Sequence, residues 1–490
     1  MPFRMKIYYR FHGIAITVLA IAGSAGTYWS FYPGLMTSDS VDQFEQARRF
    51  AFSDWHPPIM ALLWHYMDRL IAGPAGLFAL ILGLYWSGFW LLALMVARSR
   101  PSLGYLTLLA AFSPILVTIP AMLWKDSLVF SCFLSASALL AASASRAGIW
   151  RAALITPALL LLLTGALARH NAMLAAAPLL MLGVRPPSPQ ASGAQASGVQ
   201  ASAAWVARAE MLRLSVIILA TVVTTSLAGW ILNRHVLDAR PSGVANSLMA
   251  FDIVGVAART GSNGLPGPWS GDEQHRIVDD CYEPWAWDSL AWGRCAFVME
   301  RLVASGHWQH GLRDPWLTAI ADHPRAYIRH RLAYARMLLR PLPASLPQPE
   351  PISWTYGFTA NAGFREITQT VSAFSGAPII GALWRPGLWV VFAMVTCVVA
   401  SLRGSRHPMY RQTMSRQAGY LSLSGLFYAL PLVIVGVASE FRYVYWTIGA
   451  VVIAALMLAS DWLSEMVGRR AGARTSQPEP PPVLAEPRRA

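Results

Sequence analysis

Long stretches without a single charged side chain divide this chain, at roughly 13–31, 75–97, 103–123, 127–145, 152–168, 172–184, 214–232, 386–402, 417–439 and 443–460. Nine run 17 residues or longer; the stretch at 172–184 is the short one. A helix rises 1.5 Å per residue, so about 20 apolar residues cross the hydrocarbon of a bilayer. No soluble core needs so many such segments in succession. The expected fold is all-α and polytopic, with about ten transmembrane helices, a long first outer loop, and a mainly helical extracytoplasmic domain between helices 7 and 8.

Charge placement orients the spans. Only 13% of residues are charged, against about 25% in soluble domains, yet the net charge is +14. The excess lies in short connections: Arg4, Lys6 and Arg10; Arg98 and Arg100; Arg146 and Arg151; Arg185, Arg208 and Arg213; Arg403, Arg406, Arg411 and Arg416; Arg469, Arg470 and Arg474. Basic loops stay in the cytoplasm beside anionic lipid. Ten spans put all of these inside and leave only Lys125, Arg169 and Arg442 in short outer turns. Dropping the 172–184 span would move the arginines of 403–416 outside. Both termini are therefore expected in the cytoplasm of a bacterial inner (plasma) membrane, with the basic N-terminus leading into a retained first helix. No nucleic-acid motif accompanies the charge.

The expected domains follow. Residues 1–184 form a module of helices 1–6 with an outer loop at 32–74. A flexible cytoplasmic linker spans 185–213, built on PPSPQASGAQASGVQASAA, and helix 7 follows at 214–232. The extracytoplasmic domain covers 233–385, with loop at 233–270, helical spacing at 273–305, and a basic amphipathic stretch at 314–340 that suits an interfacial or a surface helix equally. Helices 8–10 occupy 386–460, and a disordered cytoplasmic tail ends the chain at 461–490.

Ionisable residues at membrane depth are costly, about 2–3 kcal/mol each on insertion scales, so their positions are informative. Asp39 and Asp42 follow span one, and Asp54 and His56 lie in SDWHPP. Lys125 and Asp126 fill the turn after span three, Arg169, His170 and Asn171 the turn after span five, and Glu440, Arg442 and Tyr443 the turn before span ten. Each turn alone reads equally well as a structural ion pair or a solvated loop. Together the topology gathers them at one face. Cations there suit a lipid-borne phosphate, and a carboxylate suits proton abstraction or a divalent metal. Cys281 and Cys295, 14 residues apart in DDCYEPWAWDSLAWGRCAF, suit a disulfide on the outer face, and no CxxC or paired-His motif marks them as metal ligands.

This pattern resembles the GT-C superfamily of membrane glycosyltransferases, among them the protein O-mannosyltransferases and lipid A aminoarabinose transferases. The resemblance rests on YPGLMTSDSVDQ around Asp39, on SDWHPP at 53–58, and on the polar turns at 125–126, 169–171 and 440–443; it covers 1–185 best and the last two spans loosely. It implies a polyprenyl-phosphate-linked sugar as donor and a glycan, glycolipid or protein as acceptor. Asp39 would be the catalytic base, with inversion at the anomeric centre; Lys125, Arg169 and Arg442 are candidates for the donor phosphate by their chemistry rather than by a family motif. Where relatives carry two neighbouring acids, this chain has Ser38-Asp39-Ser40 with Asp42 next, so metal dependence stays open. A surface-polysaccharide polymerase or ligase, a transporter or flippase for a lipid-linked or anionic solute, and a non-enzymatic envelope assembly factor are the alternative readings.

Overall fold

The computed structural model describes residues 3–184, 203–339, 362–378, 380–406 and 414–475. Among them every regular element is a helix, and the only β pairing is three isolated bridges. Eight helices are long and apolar enough to cross a membrane. They lie in α1 (Phe3–Phe31), α4 (Ala75–Ala97), α7 (Lys125–Ser143), α8 (Gly148–Ala168), α10 (Ala203–Ile231, prolonged by a π turn to Val236), α18 (Pro386–Arg406), α19 (Met414–Val435) and α20 (Tyr445–Thr475, preceded by a 3-10 turn Phe441–Val444).

Burial separates the roles of these helices. α7 is enclosed nearly all round, with α4, α8 and α20 packed on it. Gly88 of α4 makes room for α7, since a Cβ there would come within 2.5 Å of Leu134 Cγ. α10 is the opposite case: from Leu214 to Ile231 it carries no charge on any side, and almost none of that stretch is buried. A helix of that kind is unstable in water and stable in lipid, where its backbone hydrogen bonds are all internal. The protein is thus an all-α, multi-pass membrane protein.

Two of the expected spans are not continuous long helices. The block at 103–123 breaks into α5 (Pro101–Ala111), α6 (Pro114–Val117) and an irregular run to Trp124. Pro114 and Pro120 explain the breaks, because a proline disfavours helix at the residue before it and has no N–H to donate. The block at 172–184 is α9 (Ala172–Leu180) followed by a 3-10 turn, Met181–Gly183. Both segments nonetheless run between the same two ends of the bundle. Near one end Arg100 Nη2 donates to Leu463 O at 3.3 Å, and Arg151 Nη2 to Gly183 O at 2.9 Å. At the other, Leu123 N donates to Leu35 O at 2.9 Å, just past α1.

The loop expected at 32–74 contains a helical pair, α2 (Ser38–Arg49) and α3 (Ile59–Leu70), packed on each other. Residues 237–339 build a second core around Phe251, Val254, Cys281, Trp287, Leu302, Trp308 and Tyr334. The loop expected at 233–270 contains α11 (Ala245–Thr260), whose apolar face outweighs the Gly, Pro and Ser that flank it. The stretch 273–305 is two short helices, α12 (Gly271–Arg276) and α13 (Ala296–Ala304), joined by a π turn (Ile277–Cys281) and two 3-10 turns (Asp288–Leu290 and Gly293–Cys295) that the Cys281–Cys295 disulfide closes, Cα atoms 5.8 Å apart. After α14 (His307–His310), α15 (Arg313–Asp322) and α16 (Pro324–Leu339) divide at Pro324, and α16 packs on α11 and α19. α17 (Ala362–Gly376) completes the α-helices among the described residues. α10 begins inside the expected linker and α20 runs on to Thr475, inside the expected tail; residues 185–202 and 476–490 of those two segments lie outside the described residues.

Candidate active site

Several helices start at the end of the bundle nearest α2, among them α2, α7, α9 and α20. Their starts are tied together. Thr37, the residue before α2, receives a hydrogen bond from Trp124 Nε1 at 2.8 Å, and Ser40 Oγ donates to Leu123 O at 2.8 Å. The first turn of α2 is thereby held beside the first turn of α7. Helix N-termini carry partial positive charge, which favours the carboxylates found there, Asp39 and Asp126.

Asp39 is the centre of the cluster. Its Oδ2 accepts from Arg442 Nη1 at 2.7 Å, across 403 residues of chain, and its Oδ1 lies 3.7 Å from His56 Nε2. Lys125 Nζ donates to His56 Nδ1 at 2.8 Å. The imidazole therefore presents Nε2–H towards Asp39. Arg442 also bonds Glu440 through Nη2 at 2.8 Å, and its guanidinium lies 4.6 Å over the Trp124 ring. Burial alone would raise the Asp39 pKa; the Arg442 guanidinium, with His56 and Lys125, outweighs it and holds the carboxyl well below its usual range. Burial, then the Lys125 charge, lowers His56 to about 3 against the opposing pull of Asp39. At neutral pH the resting site thus holds an ionised, weakly basic Asp39 beside a neutral His56.

A second pair lies deeper. Arg169 bonds Asp126, whose side chain is wholly buried, and Tyr428 OH donates to the same Asp126 oxygen at 3.3 Å. The Arg169 guanidinium rests 4.4 Å from the centre of the Tyr443 ring, and Arg442 approaches the same ring at 5.7 Å. Arg169 is therefore committed to a carboxylate, whereas Lys125 faces an imidazole. Three cations, Lys125, Arg169 and Arg442, stand against three carboxylates, Asp39, Asp126 and Glu440.

The remaining sequence candidates sit around this cluster. Asp42 Oδ2 accepts from Gln46 Nε2 at 2.7 Å. Asp54 Oδ1 accepts from both Ser242 N and Ser242 Oγ at 2.6 Å, fastening the segment between α2 and α3 to the second core. Asn171 Nδ2 donates to Tyr428 O at 2.8 Å, a buried structural bond. His170 lies exposed at the rim. Among the described residues no three His, Cys, Asp or Glu side chains converge as a metal site would require.

Trp124 and Tyr428, which shape the cluster, carry no charge and gave no sequence signal. A further buried group in the second core was also missed: Asp252, His330 and Arg331, with Arg331 Nη2 2.5 Å and His330 Nε2 3.2 Å from Asp252 Oδ1. Asp252 did leave a signal, as a lone acid inside the apolar run AFDIVGVA.

The fold defines the class, an all-α polytopic membrane protein with an ionic cluster at one end of its bundle. No protein-family model, curated protein or solved structure matches the chain.

Proposed function

We propose that this protein is a membrane glycosyltransferase of GT-C type. It moves a sugar from a polyprenyl-phosphate donor to an envelope acceptor, a glycolipid, polysaccharide or protein, on the extracytoplasmic face. The observation that carries the reading is the meeting of Asp39 and Arg442 with the His56–Lys125 pair, from segments far apart in sequence, at the mouth of the bundle.

Topology supports the outer location. Arg100, Arg151, Arg403 and Arg416 bond partners at the opposite end, among them Leu463, Gly183, Glu465 and Glu210. With the broken segments at 101–123 and 172–183 counted as crossings, about ten spans result, with the basic end cytoplasmic, both termini there, and the cluster outside.

In the reaction the acceptor hydroxyl oxygen bonds to the anomeric carbon as the bond from that carbon to the phosphate oxygen breaks. The hydroxyl proton passes to Asp39, and polyprenyl phosphate leaves with the electron pair. Lys125, Arg442 and the N-terminal ends of α2 and α7 face the charge that grows on the phosphate. Asp39 is a poor base while Arg442 grips it. A donor phosphate that takes Arg442 for itself loosens that grip and raises the proton affinity of Asp39, so the base is armed when the donor is in place. Arg169 keeps Asp126 company throughout.

The test is mass analysis of envelope glycans and glycolipids from cells lacking the gene, complemented by wild type or by Asp39→Asn. Deletion should remove a sugar mass from one glycan, wild type should restore it, and the Asn variant should accumulate in the membrane without restoring it. An unchanged glycan profile on deletion, or restoration by Asp39→Asn, sinks the reading.

A further inference from the structure

The connection Gly436–Ser439 leads directly into the turn that carries Arg442, and all four of its residues are bonded to the second core and its helices. Arg331 Nη1 donates to Gly436 O at 2.7 Å. Trp287 N donates to Val437 O at 2.8 Å. Tyr334 OH donates to Ala438 O at 2.8 Å, and Ser439 Oγ donates to Met337 O at 2.7 Å. Ala286 and Ala438 form an antiparallel bridge. The fit is close: a Cβ on Gly436 would overlap the Tyr334 hydroxyl.

The clamp has its own foundation. Arg331 is held by Asp252, which is fully buried and also accepts from Trp316 Nε1 at 2.8 Å. His330 bridges Asp252 and the Tyr282 hydroxyl, the latter 2.9 Å from its Nδ1, and Tyr282 adjoins the disulfide at Cys281. Displacing Arg331 would leave the buried Asp252 carboxylate without its cation, a costly change. None of these groups touches Asp39, yet together they fix four consecutive residues just before Glu440 and Arg442.

We propose that the second core sets the position of Arg442 against Asp39 through this backbone clamp, with Arg331 and Tyr334 as its positioning residues. The domain is then a part of the site's geometry rather than a neighbour of it. The proposal needs the Asp39–Arg442 pair and does not depend on the sugar-transfer reading.

Two measurements on the full chain in lipid nanodiscs test it. Hydrogen exchange reports the mobility of residues 433–443. Modification of Arg442 by phenylglyoxal at pH 7.5, read by mass spectrometry, reports how firmly Asp39 and Glu440 hold its guanidinium. Tyr334→Phe removes one hydroxyl and keeps the packing. It should speed exchange in 433–443 and modification of Arg442 by about tenfold each. Arg331→Gln should do the same more strongly. Arg301→Gln breaks the Glu273–Arg301 pair in the same core, away from the clamp, and should change neither readout. The proposal is overturned if Tyr334→Phe leaves Arg442 modification at the wild-type rate, or if Arg301→Gln speeds it equally. Should Arg331→Gln fail to fold, Tyr334→Phe still decides.

Discussion

Replacing Arg169 with methionine should destabilise the protein by about 3–5 kcal/mol, the usual penalty for leaving one member of a buried ion pair without its partner. The structure supports the full figure. The Asp126 side chain is 0% exposed and that of Arg169 10%, so solvent cannot screen the orphaned carboxylate. Its remaining side-chain hydrogen-bond donor, Tyr428 OH at 3.3 Å, supplies one weak hydrogen bond. The reverse change, Asp126→Leu, should fall near the lower end of the range, because the guanidinium keeps its contact with the Tyr443 ring. The double variant removes both charges and should return to within about 1–2 kcal/mol of wild type, a coupling of at least 2 kcal/mol. Equilibrium unfolding in lipid nanodiscs, with the four proteins compared in one cycle, measures this. If Arg169→Met were as stable as wild type, or the double variant no better than the single ones, the pair would not be the structural element described. Arg169 would then return as a candidate for the donor phosphate.

Lys125→Gln should raise the donor KM about 10- to 100-fold with a smaller change in kcat, as expected for a lost charged hydrogen bond; initial rates with a purified lipid-linked donor would read it, and an unchanged KM would remove Lys125 from the phosphate site. Stability should fall with acidification in two windows. His330, lowered by burial against the opposing pull of Asp252, and His56, lowered to about 3, bind fewer protons folded than unfolded, so their share is complete above their ordinary 6.5 and declines below it. Asp39, held below its ordinary 3.8, adds its loss only below about that value. An unfolding midpoint that stayed constant from pH 7.5 to 4.5 would contradict the first window. Replacing Cys281 and Cys295 together by alanine should destabilise the second core by about 3 kcal/mol, given their separation of 14 residues, and a thermal-unfolding change under about 1 kcal/mol would contradict that.

The sequence by itself determined the membrane class, most of the span positions and the disulfide partners. Each is a local property: an uncharged run such as 75–97 becomes a helix with the same bounds because nothing polar interrupts it, and two cysteines in one short polar segment have few other partners. It also pointed to the residues of the cluster, since a charge squeezed between two apolar runs has nowhere to go but the bundle end. Where local signals conflicted, the elements came out differently. Prolines broke the 103–123 block, and glycines and serines around Ala245–Thr260 hid a helix. Only the tertiary structure decided who pairs with whom. Asp39 meets Arg442 across 403 residues, Arg169 is claimed by Asp126 rather than left open, and the Arg442 turn is gripped from a separate core. Pairing of this kind depends on which helix ends meet in space, and chain order carries no trace of that meeting until the bundle closes.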